Sequence, residues 1–321
     1  MRTFPQYTEH ELALNTLSYG GHYGPVYSAY ILHRNALAEG RHSLFGDIWD
    51  SEAGQGERTI INLRSLSIGN GWFGTAAQIQ SLIDFSCGKA EGVPMLLTEN
   101  ECDWSYKQWQ KCETMLTQCE GIHVGPNCAA AGGFCMSVVN FHYSAHGYNP
   151  YDWRTKTPYP EYLMNRFYNN ASTQVALGVI FELGSTLVKW YAQSQYVQLE
   201  FMTNGDFFAR TDYLVERVLR SGIDVLKYEG LVDWMCNFVG VRHVVSHLPG
   251  YAHQEAFNAL QPTPWAPFGI SVGEKKCLRG NNTEGLLCYL EIEEAGHYVA
   301  LNKPREAAWL INNWVHTRTV I

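Results

Sequence analysis

Apolar residues in this chain gather into short runs broken by polar, glycine-bearing stretches, and the runs alternate in character along its length. Residues 11–15 have strand character and lead into Leu17-Ser18-Tyr19-Gly20-Gly21-His22-Tyr23. Gly24-Pro25, followed by Val26, Tyr30 and Ile31, predicts the start and the apolar face of a helix. Residues 40–57 are polar and glycine-rich and read as a loop. Residues 58–69 then read as a buried strand that ends at Gly69-Asn70-Gly71. From about 78 to 190 short amphipathic segments, cysteines and tyrosine-proline stretches predict a helical insertion rather than sheet. Two further strands follow, at 224–228 and 286–292. The chain closes with a helix that begins at Pro304 and turns Ala307, Leu310, Ile311, Trp314 and Val315 to one side. No internal repeat or low-complexity segment interrupts this order.

A strand that ends in serine, turns on glycines and enters a helix has the form of a nucleophile elbow, in which a sharp turn lifts the serine hydroxyl out of the sheet. The same turn aims the following backbone N–H at a developing oxyanion. A triad in the chain order serine, acid, histidine is then expected. Asp233 lies five residues past the strand that closes at Tyr228, and His297 lies in the loop Glu294-Ala295-Gly296-His297 before the last helix. Ser18 would attack an acyl carbon, His297 accept its proton, Asp233 orient the imidazolium and the Tyr19 N–H supply an oxyanion donor. This chemistry calls for no cofactor and no metal. Each residue alone has a plainer reading as a turn, a cap or one of 12 histidines; their type, order and strand context together carry the argument.

Composition narrows the alternatives. The 321 residues are 46% hydrophobic and 17% charged, with a net charge of −8 and no lysine–arginine cluster, which gives nucleic-acid binding no electrostatic support. No apolar run reaches the ~18 residues of a membrane span, and the first residues lack the apolar stretch of a signal peptide. Nine cysteines are present, with Cys87, Cys102, Cys112, Cys119, Cys128 and Cys135 crowded together and none in a close C-x-x-C pair. A disulfide-stapled region in an oxidising compartment fits better than a metal site. Asn170-Ala171-Ser172 and Asn281-Asn282-Thr283 have the glycosylation-acceptor pattern. Secretory chemistry without a secretory signal makes a missing N-terminal segment the expectation.

The wording of four separated motifs is more specific. Ser18-Tyr19-Gly20-Gly21-His22-Tyr23-Gly24-Pro25 resembles the elbow of the serine carboxypeptidases, and Ile68-Gly69-Asn70-Gly71 resembles that family's strand end. Residues 225–237, through Asp233-Trp234-Met235-Cys236-Asn237, resemble its acid loop, and Ala295-Gly296-His297-Tyr298-Val299 its histidine loop. The resemblance spans the chain and is strongest to the fungal vacuolar branch. It implies an α/β-hydrolase fold lacking its first strands, with a core at 1–77 and 191–321 and a disulfide-rich helical insertion at 78–190. It implies a serine-type carboxypeptidase acting on peptide or protein C-termini in a vacuole or outside the cell. Alternatives are an acyltransferase of the same family, or a truncated and impaired member. The implied disulfides are Cys87–Cys102, Cys112–Cys135 and Cys119–Cys128. Cys277 and Cys288 flank a turn where a further bridge could close a hairpin. Cys236 is implied as a free thiol lining the substrate pocket, and Asn70 as a second substrate-binding residue. Departures from the family wording are Thr16 for a glycine, Leu17 for a glutamate of the network that holds a C-terminal carboxylate, and Leu231 for an aspartate. The family's glycine-rich loop, with its second oxyanion donor, precedes the elbow and has no counterpart upstream of Ser18.

Overall fold

The architecture rests on one sheet of six strands: β1 (Leu12–Leu17), β2 (Leu63–Gly69), β3 (Asp224–Gly230), β4 (Thr263–Pro264), β5 (Gly273–Arg279) and β6 (Leu286–Ile292). The computed structural model describes residues 5–49, 59–117, 125–159, 161–180 and 186–320. In it the strands stand in the order β1-β2-β3-β6-β5-β4. β1, β2, β3 and β6 run parallel, β5 lies antiparallel to β6, and the two-residue β4 pairs antiparallel with β5 at that edge. Among the described residues β1 pairs with β2 alone, so the strand that delivers Ser18 forms an edge. The parallel strands all finish on the same side, where Ser18, Asn70, Leu231 and Glu293 follow them. That side is where an α/β sheet places its chemistry.

The helices are α1 (Gly20–Ala38), α2 (Ala76–Ser86), α3 (Glu99–Leu116), α4 (Pro126–Ala145), α5 (Glu161–Tyr168), α6 (Ala171–Ala176), α7 (Gln195–Thr203), α8 (Asp212–Arg220), α9 (Phe238–Ser246), α10 (Gln254–Ala259), α11 (Val299–Asn302) and α12 (Pro304–Thr317). Strand alternation sorts the core into two layers. Leu66, Ile68 and Val225 pack with Val218 of α8 and Val244 of α9. Leu226, Leu290 and Ile292 pack with Leu310 and Trp314 of α12. A third cluster joins α2, α3 and α4 to Trp234 and Phe238, so the helical insertion shares its core with the acid loop. Trp234 is fully buried, stacked on Tyr143 at 3.8 Å between ring centres, with its indole N–H donated to Ser86 Oγ at 2.8 Å. Removing such a ring costs about 3–5 kcal/mol.

Local signals explain most element boundaries. Thr98 opens α3 with a capping box, its hydroxyl accepting from the Glu101 N–H while the Glu101 carboxylate accepts from the Thr98 N–H. Helix α12 begins at Pro304 as the sequence suggests, burying Leu310 and Trp314. Helix α1 differs: it starts at Gly20, with Pro25 inside it and Tyr30 exposed. A proline there leaves the carbonyl four residues earlier without its helical donor. The Thr211 hydroxyl donates to that Gly21 carbonyl at 2.8 Å and closes the gap. The second strand is shorter than the apolar run suggests, beginning at Leu63; residues 59–62 carry no strand, and residue 58 lies outside the described residues, as does 50–57 of the expected loop.

Candidate active site

The elbow is built from close backbone contacts. Ser18 turns off β1 at φ +62°, in the left-handed region that side chains seldom occupy. Its N–H donates to the Gly69 carbonyl at 3.0 Å, and its own carbonyl accepts from Gly21 at 2.9 Å and Trp72 at 2.8 Å. A Cβ on Gly21 would lie 2.3 Å from the Trp72 carbonyl oxygen, which is why this turn needs glycine. Thr16, where the family wording has glycine, places its hydroxyl 3.0 Å from the Ser67 carbonyl and 3.1 Å from that of Gly20, linking β2 to the first turn of α1. The Tyr19 N–H donates to no group among the described residues and points from the positive end of α1. The Tyr19 ring stacks on His22 at 4.5 Å and its hydroxyl donates to Asp206 at 2.6 Å. Burial and the Asp206 carboxylate push the Tyr19 phenol upward, so it remains a donor. His22 donates from Nδ1 to the Trp72 carbonyl at 2.7 Å, and burial lowers its pKa.

Acid and base meet across two loops. His297 Nδ1 donates to Asp233 Oδ2 at 2.7 Å, and both side chains are almost wholly buried, 1% and 0% exposed. Three further donors hold the Asp233 carboxylate: the Asn70 amide at 2.9 Å, the Met235 N–H at 3.0 Å and the Cys236 N–H at 3.3 Å. A carboxylate so saturated with donors stays oriented and leaves the imidazole with its proton on Nδ1 and its Nε2 free to act as base. No hydrogen bond joins the Ser18 side chain to His297 in this structure. The two loops are bound to each other through 149–153: the Pro150 carbonyl accepts from Trp234 and Met235, the Trp153 N–H donates to Val232, and the His297 N–H donates to Tyr151 at 2.9 Å. The Tyr151 ring lies over the imidazole, 4.8 Å between centres. A Cβ on Gly230 would sit 2.3 Å from the Gly296 carbonyl oxygen, so glycine at the end of β3 is what lets the loops approach.

Asn70, expected to bind substrate, is fully buried, and its amide is engaged by Asp233 and by Gly230, whose N–H donates to Asn70 Oδ1 at 3.1 Å. It faces the acid. Cys236 is a free thiol, 2% exposed, and burial together with Asp233 and Glu229 pushes its pKa well up. Cys236, Asp233 and His297 bring one ligand atom each within 4.8 Å of one another, the one such trio among the described residues. The 2.7 Å bond between Asp233 and His297 already uses two of those atoms. Leu17 lines an apolar cavity of about 350 Å³ with Tyr228, Tyr298, Val299 and Pro304 beside the histidine loop.

Disulfides join Cys87 to Cys102 and Cys277 to Cys288, the latter across directly paired positions of β5 and β6. Cys112 and Cys135 differ from the expected pairing. They are free thiols, buried on α3 and α4 in the core that the two helices share. Cys128 is disulfide-bonded, and Cys119 lies outside the described residues. Asn170 and Asn281 are both exposed, each with its side-chain oxygen accepting from the backbone two and three residues on. The sequence reading missed Tyr151, Asp206 and the 149–153 strap, none of which carries a local signal.

Comparison with known proteins agrees with this geometry. A family model described as serine carboxypeptidase matches residues 1–317. Carboxypeptidase Y of Schizosaccharomyces pombe is 27% identical over 97% of this chain and 30% of its own length. Carboxypeptidase Y homolog A of Trichophyton tonsurans is 27% identical over 98% of this chain and 53% of its own. Carboxypeptidase S1 of Penicillium janthinellum is 26% identical over 94% and 66%. The chain thus spans between about a third and two thirds of the length of these relatives. Among solved structures, Kex1(delta)p, a prohormone-processing carboxypeptidase from Saccharomyces cerevisiae, superposes with a TM-score of 0.65 at 17% identity, covering 98% of this chain and 62% of that one. That likeness is one of fold, and it makes the sheet an α/β-hydrolase sheet. The chain belongs to the serine carboxypeptidase family.

Proposed function

We propose that this chain removes C-terminal residues from peptides by way of an acyl-enzyme on Ser18. The Ser18 hydroxyl attacks the scissile carbonyl as His297 Nε2 takes its proton. The Tyr19 N–H receives the oxyanion that forms. His297 then returns the proton to the departing amine, which leaves as a free amino acid, and water repeats the sequence on the ester. Asp233 orients the imidazolium through the bond to Nδ1. The observation that carries this reading is the buried 2.7 Å bond between Asp233 and His297, past the ends of β3 and β6 on the side of the sheet where β1 delivers Ser18. Cys236, whose thiol lies beside this pair, fits a place against the residue that precedes the scissile bond. A vacuolar or secreted location fits the two disulfides and the exposed acceptors at Asn170 and Asn281.

A serine-directed fluorophosphonate tests the site. Labelling of the chain that is lost in Ser18→Ala, together with release of the C-terminal residue from a blocked dipeptide, supports the reading. Labelling without peptidase activity but with transfer from an activated acyl donor would move the assignment to an acyltransferase. That outcome would fit the apolar surroundings of Leu17, which can donate no hydrogen bond to a carboxylate. Absence of labelling in a folded chain would overturn both and leave a member of the family that does not turn over.

A further inference from the structure

The acid that holds Tyr19 has no cation of its own. Asp206 opens the single turn Asp206–Phe208 between α7 and α8, directly after Gly205 at φ +85°. Its Oδ2 accepts the Tyr19 hydroxyl at 2.6 Å, and its Oδ1 accepts from no group among the described residues. Nor does any lysine, arginine or histidine form an ion pair with it among those residues. Arg210, four positions on, is engaged by Asp212 at 2.8 Å. His22, which stacks on Tyr19, donates to the Trp72 carbonyl, and burial lowers its pKa, so at neutral pH it brings no charge.

What gathers around this carboxylate is aromatic. The Tyr19 ring meets Tyr23 edge-on at 5.2 Å and Phe201 at 5.6 Å, and it lies 5.9 Å from Phe207 at 27° between planes. Burial and the nearby Asp206 charge push the Tyr23 phenol up. The group is open to solvent, since Asp206 is half-buried and Tyr23 is 41% exposed. A carboxylate has several lone pairs, so the Tyr19 bond leaves room for a second donor. An ammonium or guanidinium placed there gains from the anion and from the ring faces together. The position is next to the chemistry. Tyr19 directly follows Ser18, and its phenol sets Asp206 one tyrosine length away, a span that the flexible stem of a lysine matches. Tyr19 and Phe207 also pack against the same cluster as Cys236, which places them on the side of the residue that precedes the scissile bond.

We propose that Asp206 and the rings of Tyr19 and Tyr23 receive a cationic side chain on the residue before the scissile bond, so that the chain selects lysine or arginine there. The inference rests on the acyl-enzyme route set out above. Three amino-blocked dipeptides test it: lysine then norleucine, norleucine then lysine, and norleucine in both places. Norleucine keeps the lysine stem without its charge. In the parent chain kcat/KM should be about 10-fold higher with lysine first than with norleucine first. Asp206→Asn keeps an oxygen for the Tyr19 hydroxyl and removes the charge, so the two substrates should fall to parity whatever happens to both rates together. Parity in the parent chain would overturn the proposal, as would a lysine advantage confined to the second place. An equal lysine advantage in Asp206→Asn would also overturn it and leave Asp206 as a support for Tyr19 alone. Calorimetry on Ser18→Ala reads the same comparison as affinity, without turnover. Binding of the lysine-first dipeptide should be about 10-fold tighter there, with the difference lost in Ser18→Ala/Asp206→Asn. That result in a parent chain that hydrolyses none of the three would support the subsite and overturn the acyl-enzyme route, which keeps the two failures distinct.

Discussion

Asn70 donates its side-chain amide to Asp233 Oδ2 at 2.9 Å, the same oxygen that accepts from His297 at 2.7 Å. The other end of that amide accepts from Gly230 at 3.1 Å, so one side chain from the turn after β2 fixes the end of β3 and the acid together. Its backbone takes φ +39°, a conformation asparagine tolerates better than most residues.

Truncation of that amide should therefore weaken catalysis through Asp233. In Asn70→Ala the carboxylate loses a donor and the buried Gly230 N–H loses its acceptor. A buried polar group left unsatisfied costs about 1–3 kcal/mol, or about 5- to 150-fold in rate if it falls on the transition state. Asn70→Asp should fall further, since it sets a second carboxylate against the first. The measurement is kcat/KM on a blocked dipeptide alongside the rate of fluorophosphonate labelling. Equal labelling rates in the parent chain and Asn70→Ala would remove the role argued for this residue.

Thr16 and Gly20 form a matched pair that a double-mutant cycle can expose. A Cβ on Gly20 would lie 2.5 Å from the Thr16 Cβ and 2.8 Å from its hydroxyl, and those Thr16 atoms are its nearest neighbours. Gly20→Ala alone should destabilise the chain by about 1–3 kcal/mol through overpacking. Thr16→Gly removes the obstacle, so Thr16→Gly/Gly20→Ala should recover part of the loss, with a coupling of about 0.5–3 kcal/mol. Urea midpoints of the four chains measure it. Additive losses would mean that the clash is relieved elsewhere.

The parts of this site that were legible in the sequence are those whose chemistry is local. Ser18 is marked by the strand before it and the glycines after it, and Asp233 and His297 by their places just past a strand and just before a helix. Asn70 was visible as a strand-end residue, yet its partner lies 163 positions away and nothing nearby names it. Pro25 reads as a helix start by local rules, yet it lies inside α1, where the Gly21 carbonyl it leaves without a donor is satisfied by Thr211, 190 positions from Gly21. The antiparallel strand Gly273–Arg279 escaped notice because its residues are half-exposed and mostly polar, which suits an outer strand but leaves no apolar run. Cysteine pairing rested on resemblance alone, and Cys112 and Cys135 are where it departs from the structure.

Those two thiols give a direct chemical test. Iodoacetamide added under denaturing, non-reducing conditions should modify Cys112, Cys135 and Cys236, the three free thiols among the described residues, while Cys87, Cys102, Cys277 and Cys288 stay protected until reduction. Peptide mapping by mass spectrometry assigns each site. Protection of Cys112 and Cys135 before reduction would mean that the pair closes into a bond. The bonded pairs should matter more for stability. Cys87→Ala/Cys102→Ala opens a loop of 15 residues, a constraint worth about 3 kcal/mol in a chain-entropy estimate.

Lys227 and Glu229 project from the same face of β3 and are both 0% exposed, with the lysine ammonium 3.5 Å above the Phe73 ring. Neither the ammonium nor either carboxylate oxygen has a hydrogen-bond partner among the described residues. Burial pushes Lys227 down to about 7 and Glu229 well up, the latter reinforced by Asp233 and Glu291 and opposed by Lys227. Lys227→Ile/Glu229→Ala removes two buried polar groups that lack hydrogen-bond partners and should be neutral or stabilising by about 1–4 kcal/mol. The pH dependence separates the two groups. Between pH ~5 and ~6.5 the unfolded glutamate is ionised, with its pKa near about 4.3, while the folded one holds its proton. The folded chain then binds the extra proton, so stability must fall as pH rises. Lys227 is mostly protonated in both states over that window and adds little slope. Relative to Glu229→Gln, the parent chain should therefore lose up to about 1.4 kcal/mol per pH unit, read from urea midpoints at matched pH. A constant difference between the two would mean that Glu229 is ionised in the fold, leaving the strand that feeds Asp233 with a buried charge beside the acid.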